Sequence, residues 1–91
     1  MRRVHVIVRG MVQGVGYRYT LRMVAERAGV SGWTRNLRDG SVEAELEGDE
    51  AQVDEVLAWM AGGPPGARVD SATVADAPPN GERGFAVRDT A

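Results

Sequence analysis

The chain has 91 residues, 43% hydrophobic and 26% charged, with no cysteine, a single histidine and a formal net charge of −2 at pH 7. Its length suits a single domain, residues 1–91, with a core of its own. The lack of cysteine excludes a disulfide framework, thiolate catalysis and sulfur-ligated metal, and no apolar run approaches the roughly 20 residues that span a bilayer.

Arg3 to Arg9 alternates, with Val4, Val6 and Val8 on one face and His5, Ile7 and Arg9 on the other, which predicts a strand covered on one side. Met1-Arg2-Arg3 leads into this valine strand rather than into a signal-peptide core, so cytoplasmic residence is expected. Glycines punctuate the next stretch, Gly10-Met11-Val12-Gln13-Gly14-Val15-Gly16-Tyr17-Arg18. Tyr17, Leu21, Val24, Ala25 and Ala28 then recur at helical spacing, and Gly29 followed by Val30 supplies a helix stop. Trp33 to Arg38 and Ser41 to Glu47 flank Asp39-Gly40, which predicts a two-residue hairpin with positive φ at both turn positions. In the second arm Val42, Ala44 and Leu46 alternate with Glu43, Glu45 and Glu47, and that acidic row, continued by Asp49, reads as a solvated face.

Asp49 with Gln52 forms a capping-box pattern before the stripe Val53, Val56, Leu57 and Met60, and Gly62-Gly63-Pro64-Pro65 ends this second helix. Val69 to Val74 gives a fourth strand, Pro78-Pro79-Asn80-Gly81 a turn, and Phe85 with Val87 one face of a short last strand. The order βαββαβ plus that extra strand predicts an α+β fold, a ferredoxin-like split βαβ sandwich with both helices on one face of a mostly antiparallel sheet. Residues 1–38 carry eight Arg against one Glu, and residues 39–91 three Arg against twelve acids. In one shared sheet these opposite charges face each other, so the basic half is not read as a nucleic-acid surface.

The segment from Gly10 to Arg18 joins a strand to a helix start, where unpaired N–H groups and about half a positive charge gather. Gly10, Gly14 and Gly16 can take positive φ and let amides converge, and Arg18 in the first helical turn can add its charged fork, so the segment reads as an anion cradle. Its spacing fits neither G-x-x-x-x-G-K-[ST] nor G-x-G-x-x-G. Asn36 stands in a strand, where asparagine fits poorly, and near the cradle it could hold and aim a water. His5 is read as a structural histidine, and no Ser-His-acid set or metal site can be assembled.

Gly10 to Arg18 resembles the acylphosphatase signature G-x-V-Q-G-V-x-[FY]-R at every fixed position. Gly32-Trp33-Thr34-Arg35-Asn36-Leu37-Arg38-Asp39-Gly40-Ser41-Val42 with Gly48 resembles its second signature. Thr34 departs from the pattern, which usually has a small apolar residue there. The resemblance implies hydrolysis of acyl phosphates to a carboxylate and inorganic phosphate, without metal or cofactor. By residue, it implies that Arg18 and Asn36 are catalytic, Arg18 binding the phosphoryl group and Asn36 orienting the attacking water. Gln13, Gly14, Val15, Gly16, Tyr17 and Arg18 would hold the phosphate. A monomer acting on a small molecule, with no nucleic-acid or membrane partner, is expected. An RNA-binding module on the same sandwich would need exposed aromatics on the first and third strands, which carry none. A further reading is a carbamoyl-phosphate-handling domain like that of hydrogenase-maturation carbamoyltransferases, which resembles this family.

Overall fold

Val4, Val6 and Val8 are fully buried along one face of strand β1, Arg2–Met11. The computed structural model describes residues 1–91, and the elements after β1 are α1 (Tyr17–Ala28), β2 (Ser31–Asn36), β3 (Val42–Gly48), α2 (Glu50–Met60), β4 (Arg68–Ala77) and β5 (Phe85–Val87). The strands form one sheet in the order β4-β1-β3-β2-β5, antiparallel throughout except where β5 runs parallel to β2. This is the ferredoxin-like sandwich expected from the element order. Val4, Val6 and Val8 meet Val42, Ala44 and Leu46 of β3 in register, and this apolar face packs against Tyr17, Leu21 and Ala25 of α1 and Val53, Val56 and Met60 of α2.

Both helices end as their sequences direct. Gly29, at φ 77°, lets the Val30 N–H bond the Ala25 carbonyl at 2.9 Å and its own N–H bond Glu26 O at 3.2 Å, the paired closure of a Schellman stop. At the start of α2 the Gln52 side chain accepts from the Asp49 N–H at 3.0 Å, completing the expected capping box.

Two expectations need correction. The hairpin between β2 and β3 is wider than a two-residue turn: Leu37 N–H bonds Ser41 O at 2.9 Å, so three residues, 38–40, make the loop. Only Gly40 takes positive φ, 95°, and no residue other than glycine does. Asp39 stays on the ordinary side and instead accepts from the Ser41 N–H at 2.9 Å, which stabilises a bend its own backbone need not strain to make.

The acidic row of β3 is also not solvated. β3 is the central strand, so its polar face meets cations from the strands on both sides. Arg3, 3% exposed, donates to Glu45 at 2.6 Å, to Glu47 at 3.1 Å and to Glu82 at 2.9 Å. Glu43 binds His5 at 2.7 Å and Arg35 at 2.6 Å. Burial works against the Glu43 charge, but the His5 and Arg35 bonds outweigh it and lower its pKa. Glu47 is lowered chiefly by the Asn80 backbone N–H, aided by Arg3 and the Gly81 N–H. Part of the charge asymmetry between the two halves of the sequence is thus paired within the sheet, through Arg3 and Arg35.

Candidate active site

The loop after β1 is shaped by two glycines. Gly14 and Gly16 have φ 75° and 77°, with nothing within 4 Å of where a Cβ would stand, so their freedom serves backbone direction rather than packing. Gly16 is the N-cap of α1 in left-handed conformation, with no side-chain cap and no acid in the first turn. The first helical bond runs from Thr20 N to Gly16 O at 3.0 Å, so the leading N–H groups of α1 have no partner within the helix and face outward with the positive end of its dipole. Gly10 does something else. It sits at a register shift in the β1–β4 ladder, where a Cβ would lie 2.1 Å from the Arg68 carbonyl oxygen. Its φ of 135° lets two strands approach, and it is not among the residues that line the cleft at the helix start.

A cleft of about 320 Å³ opens at this helix start, lined by Val12, Gln13, Gly14, Gly16, Tyr17, Arg18, Tyr19, Arg22, Asn36 and Val87. Arg18 and Asn36, 18 positions apart in the sequence, share it. Arg18 has no carboxylate partner; its nearest polar contact is a long 3.5 Å approach to the Arg88 carbonyl. Asn36 ends β2, and its Oδ1 is buried without a hydrogen-bond partner. Such an atom is uncommon, and its place in a cleft beside a free guanidinium points to a ligand or substrate role. Among the expected phosphate-binding residues, Val15 does not line the cleft and packs against the core, while Tyr17 turns its ring inward, with its hydroxyl donating to Met60 O at 2.9 Å. Burial raises the Tyr17 pKa, so the phenol stays neutral.

Gln13 ties the halves of the site together. Its Nε2 donates to Leu37 O at 2.7 Å and Ser41 O at 2.9 Å, joining the cradle loop to the hairpin that follows Asn36. Thr34, the departure from the second signature, is fully buried, and its hydroxyl donates to Glu43 O at 2.9 Å, so the extra polar atom is satisfied within the sheet. The tail supports Asn36 from the other side: Arg88 N–H bonds Thr34 O at 2.8 Å and Ala91 N–H bonds Asn36 O at 3.0 Å. Val12, Tyr19, Arg22 and Val87 also line the cleft, beyond the residues that the sequence assigns to it. Arg22 was detectable as Arg18 plus one helical turn; Val87 reaches the cleft only because β5 joins β2, a pairing that leaves no mark in local sequence.

The fold is a small α+β sandwich, and its cleft sets a guanidinium without a carboxylate partner and a helix start beside the end of a strand. The acylphosphatase family profile matches residues 4–87. An acylphosphatase of Rubrobacter xylanophilus is 53% identical over 88 residues, which cover 96% of this chain and 80% of that one. The crystal structure of acylphosphatase from Bacillus subtilis superposes with a TM-score of 0.94 at 32% identity, covering 97% of this chain and 99% of the other. That of HypF from T. kodakarensis matches 97% of this chain, but only 12% of its own length, with a TM-score of 0.85 and 30% identity. The chain belongs to the acylphosphatase family.

Proposed function

We propose that the chain hydrolyses acyl phosphates to a carboxylate and inorganic phosphate, with Arg18 and Asn36 as the catalytic residues. The observation that carries this reading is the shared cleft: an unpaired guanidinium, a helix start with uncommitted N–H groups, and a buried carboxamide oxygen without a partner. Amides between Gln13 and Arg18 and the Arg18 fork hold the phosphoryl oxygens, and Asn36 binds a water and sets it in line behind phosphorus. The water oxygen forms a new bond to phosphorus while the bond from phosphorus to the acyl oxygen breaks. The carboxylate departs with the bond's electron pair, and the water proton passes to a phosphoryl oxygen, since the motifs supply no general base. A carboxylate is a good leaving group and the transition state is loose, so positioning and charge stabilisation suffice without a cofactor.

Benzoyl phosphate hydrolysis and inorganic phosphate binding, measured on two variants, test the assignment. Arg18→Ala is expected to lower kcat/KM by about a thousandfold and to weaken phosphate binding. Asn36→Ala is expected to lower kcat by about a hundredfold while phosphate affinity stays within about threefold of wild type. Wild-type turnover by Asn36→Ala contradicts the water-orienting role, and activity lost to EDTA and restored by Mg²⁺ contradicts the metal-free mechanism.

A further inference from the structure

The proposed chemistry uses only part of the cleft. A volume of about 320 Å³ suits a small organic molecule rather than a lone tetrahedral ion. Beyond the cradle, the wall is completed by Tyr19 and Arg22 of α1 and by Val87 of β5. Arg22 lies four residues after Arg18, so the two side chains leave one face of the helix from backbone positions about 6 Å apart along its axis. No carboxylate is among the ten lining residues. The ionic partner of Arg22 is Glu26, one turn further on, at 3.6 Å with both side chains about half exposed, a weak and readily exchanged pair. Two like charges one turn apart repel each other, and a ligand with an anionic group for each relieves that repulsion.

We infer that Arg22 forms a second anion subsite, and that the preferred substrates are acyl phosphates whose acyl group carries an acidic group of its own at the far end. The inference rests on the hydrolytic reading above. The cradle and Arg18 take the phosphoryl end, the carbon chain lies against Tyr19 and Val87, and Arg22 leaves Glu26 to bind the distal acid. Arg22 touches a group that does not react, so it contributes equally to substrate and transition state and acts mainly on KM.

The test compares succinyl phosphate, which bears a distal carboxylate, with acetyl phosphate, which does not, in wild type, Arg22→Gln and Arg27→Gln. Arg27 lies on the same helix outside the cleft and controls for net charge. The ratio of kcat/KM for succinyl over acetyl phosphate is expected to fall about tenfold in Arg22→Gln, through KM, and to stay within about twofold of wild type in Arg27→Gln. An equal fall for both substrates, or the same ratio change in Arg27→Gln, overturns the subsite. Binding of two non-hydrolysable probes, 3-phosphonopropionate and ethylphosphonate, separates this result from the fate of the hydrolytic reading. The carboxylated probe is expected to bind wild type more tightly, with the preference lost in Arg22→Gln. If wild type hydrolyses no acyl phosphate, the hydrolytic reading fails, and the two affinities still decide the subsite. Equal affinities for the two probes in wild type overturn it.

Discussion

A Cβ at Gly32 would stand 1.9 Å from the Glu45 carbonyl oxygen, at a φ of 143° that other residues avoid. Gly62, by contrast, has open space around it and no positive φ. Gly32→Ala is therefore expected to lower stability by about 2 to 3 kcal/mol, because β2 and β3 must part to admit the methyl group. Gly62→Ala is expected to be neutral or to stabilise by up to about 1 kcal/mol. Urea midpoints for the two variants check the contrast; a similar loss at both would mean that chain entropy, not the approach of the strands, sets the requirement. Gly32 stood out in the sequence as part of a signature, but its physical reason did not. The clashing atom belongs to Glu45, 13 positions away, and only the strand register brings it close. Asn36 is similar: its poor fit to a strand is visible in the sequence, whereas the burial of its oxygen without a partner arises only in the packed fold.

Elements meet at the cradle through one side chain. Gln13 gives a second donor to two carbonyls of the hairpin loop, each already bonded to a backbone N–H, from a segment that has no ladder contact with it. Gln13→Ala is expected to cost about 1 to 2 kcal/mol of stability, since Leu37 O and Ser41 O both lose a donor. Turnover should fall about tenfold through loosened alignment of Asn36 with the cradle. Thermal unfolding and kcat on the same preparation check this, and unchanged turnover despite lost stability would show that the tie is structural alone. Helices were the most legible elements, since their apolar spacing and their glycine and capping-box ends are written within a dozen residues. The hairpin was legible in place but not in geometry, because the Asp39 side chain offers a bond to Ser41 that competes with a strained backbone. The sequence pattern marks Val69 to Val74, whereas β4 runs from Arg68 to Ala77. Its pairing with β1 extends the ladder over residues that have no strand pattern of their own.

Over the whole molecule, the separation of charge along the chain becomes complementarity across the sheet. Glu43 and Glu47 both have pKa values below the ordinary 4.5. The unfolded chain therefore binds more protons than the native one between the lowered values and 4.5, and stability rises with pH through that window. The contribution is complete above the ordinary value and is lost as pH falls through the lowered ones. Urea midpoints are expected to be level down to about pH 6 and to decline toward about pH 3, with a shallower decline in Glu47→Gln. A level profile over that range would contradict the role given to these carboxylates. The sheet also has two unequal borders. On one side β5 is three residues long, while on the other β4 presents ten with no strand beyond it. An open margin of that length is a template on which another chain can zipper, and Arg68, Asp70 and Asp76 place charge at intervals along it. Charged side chains spaced along an open strand oppose such pairing, the part gatekeeper residues play beside apolar segments.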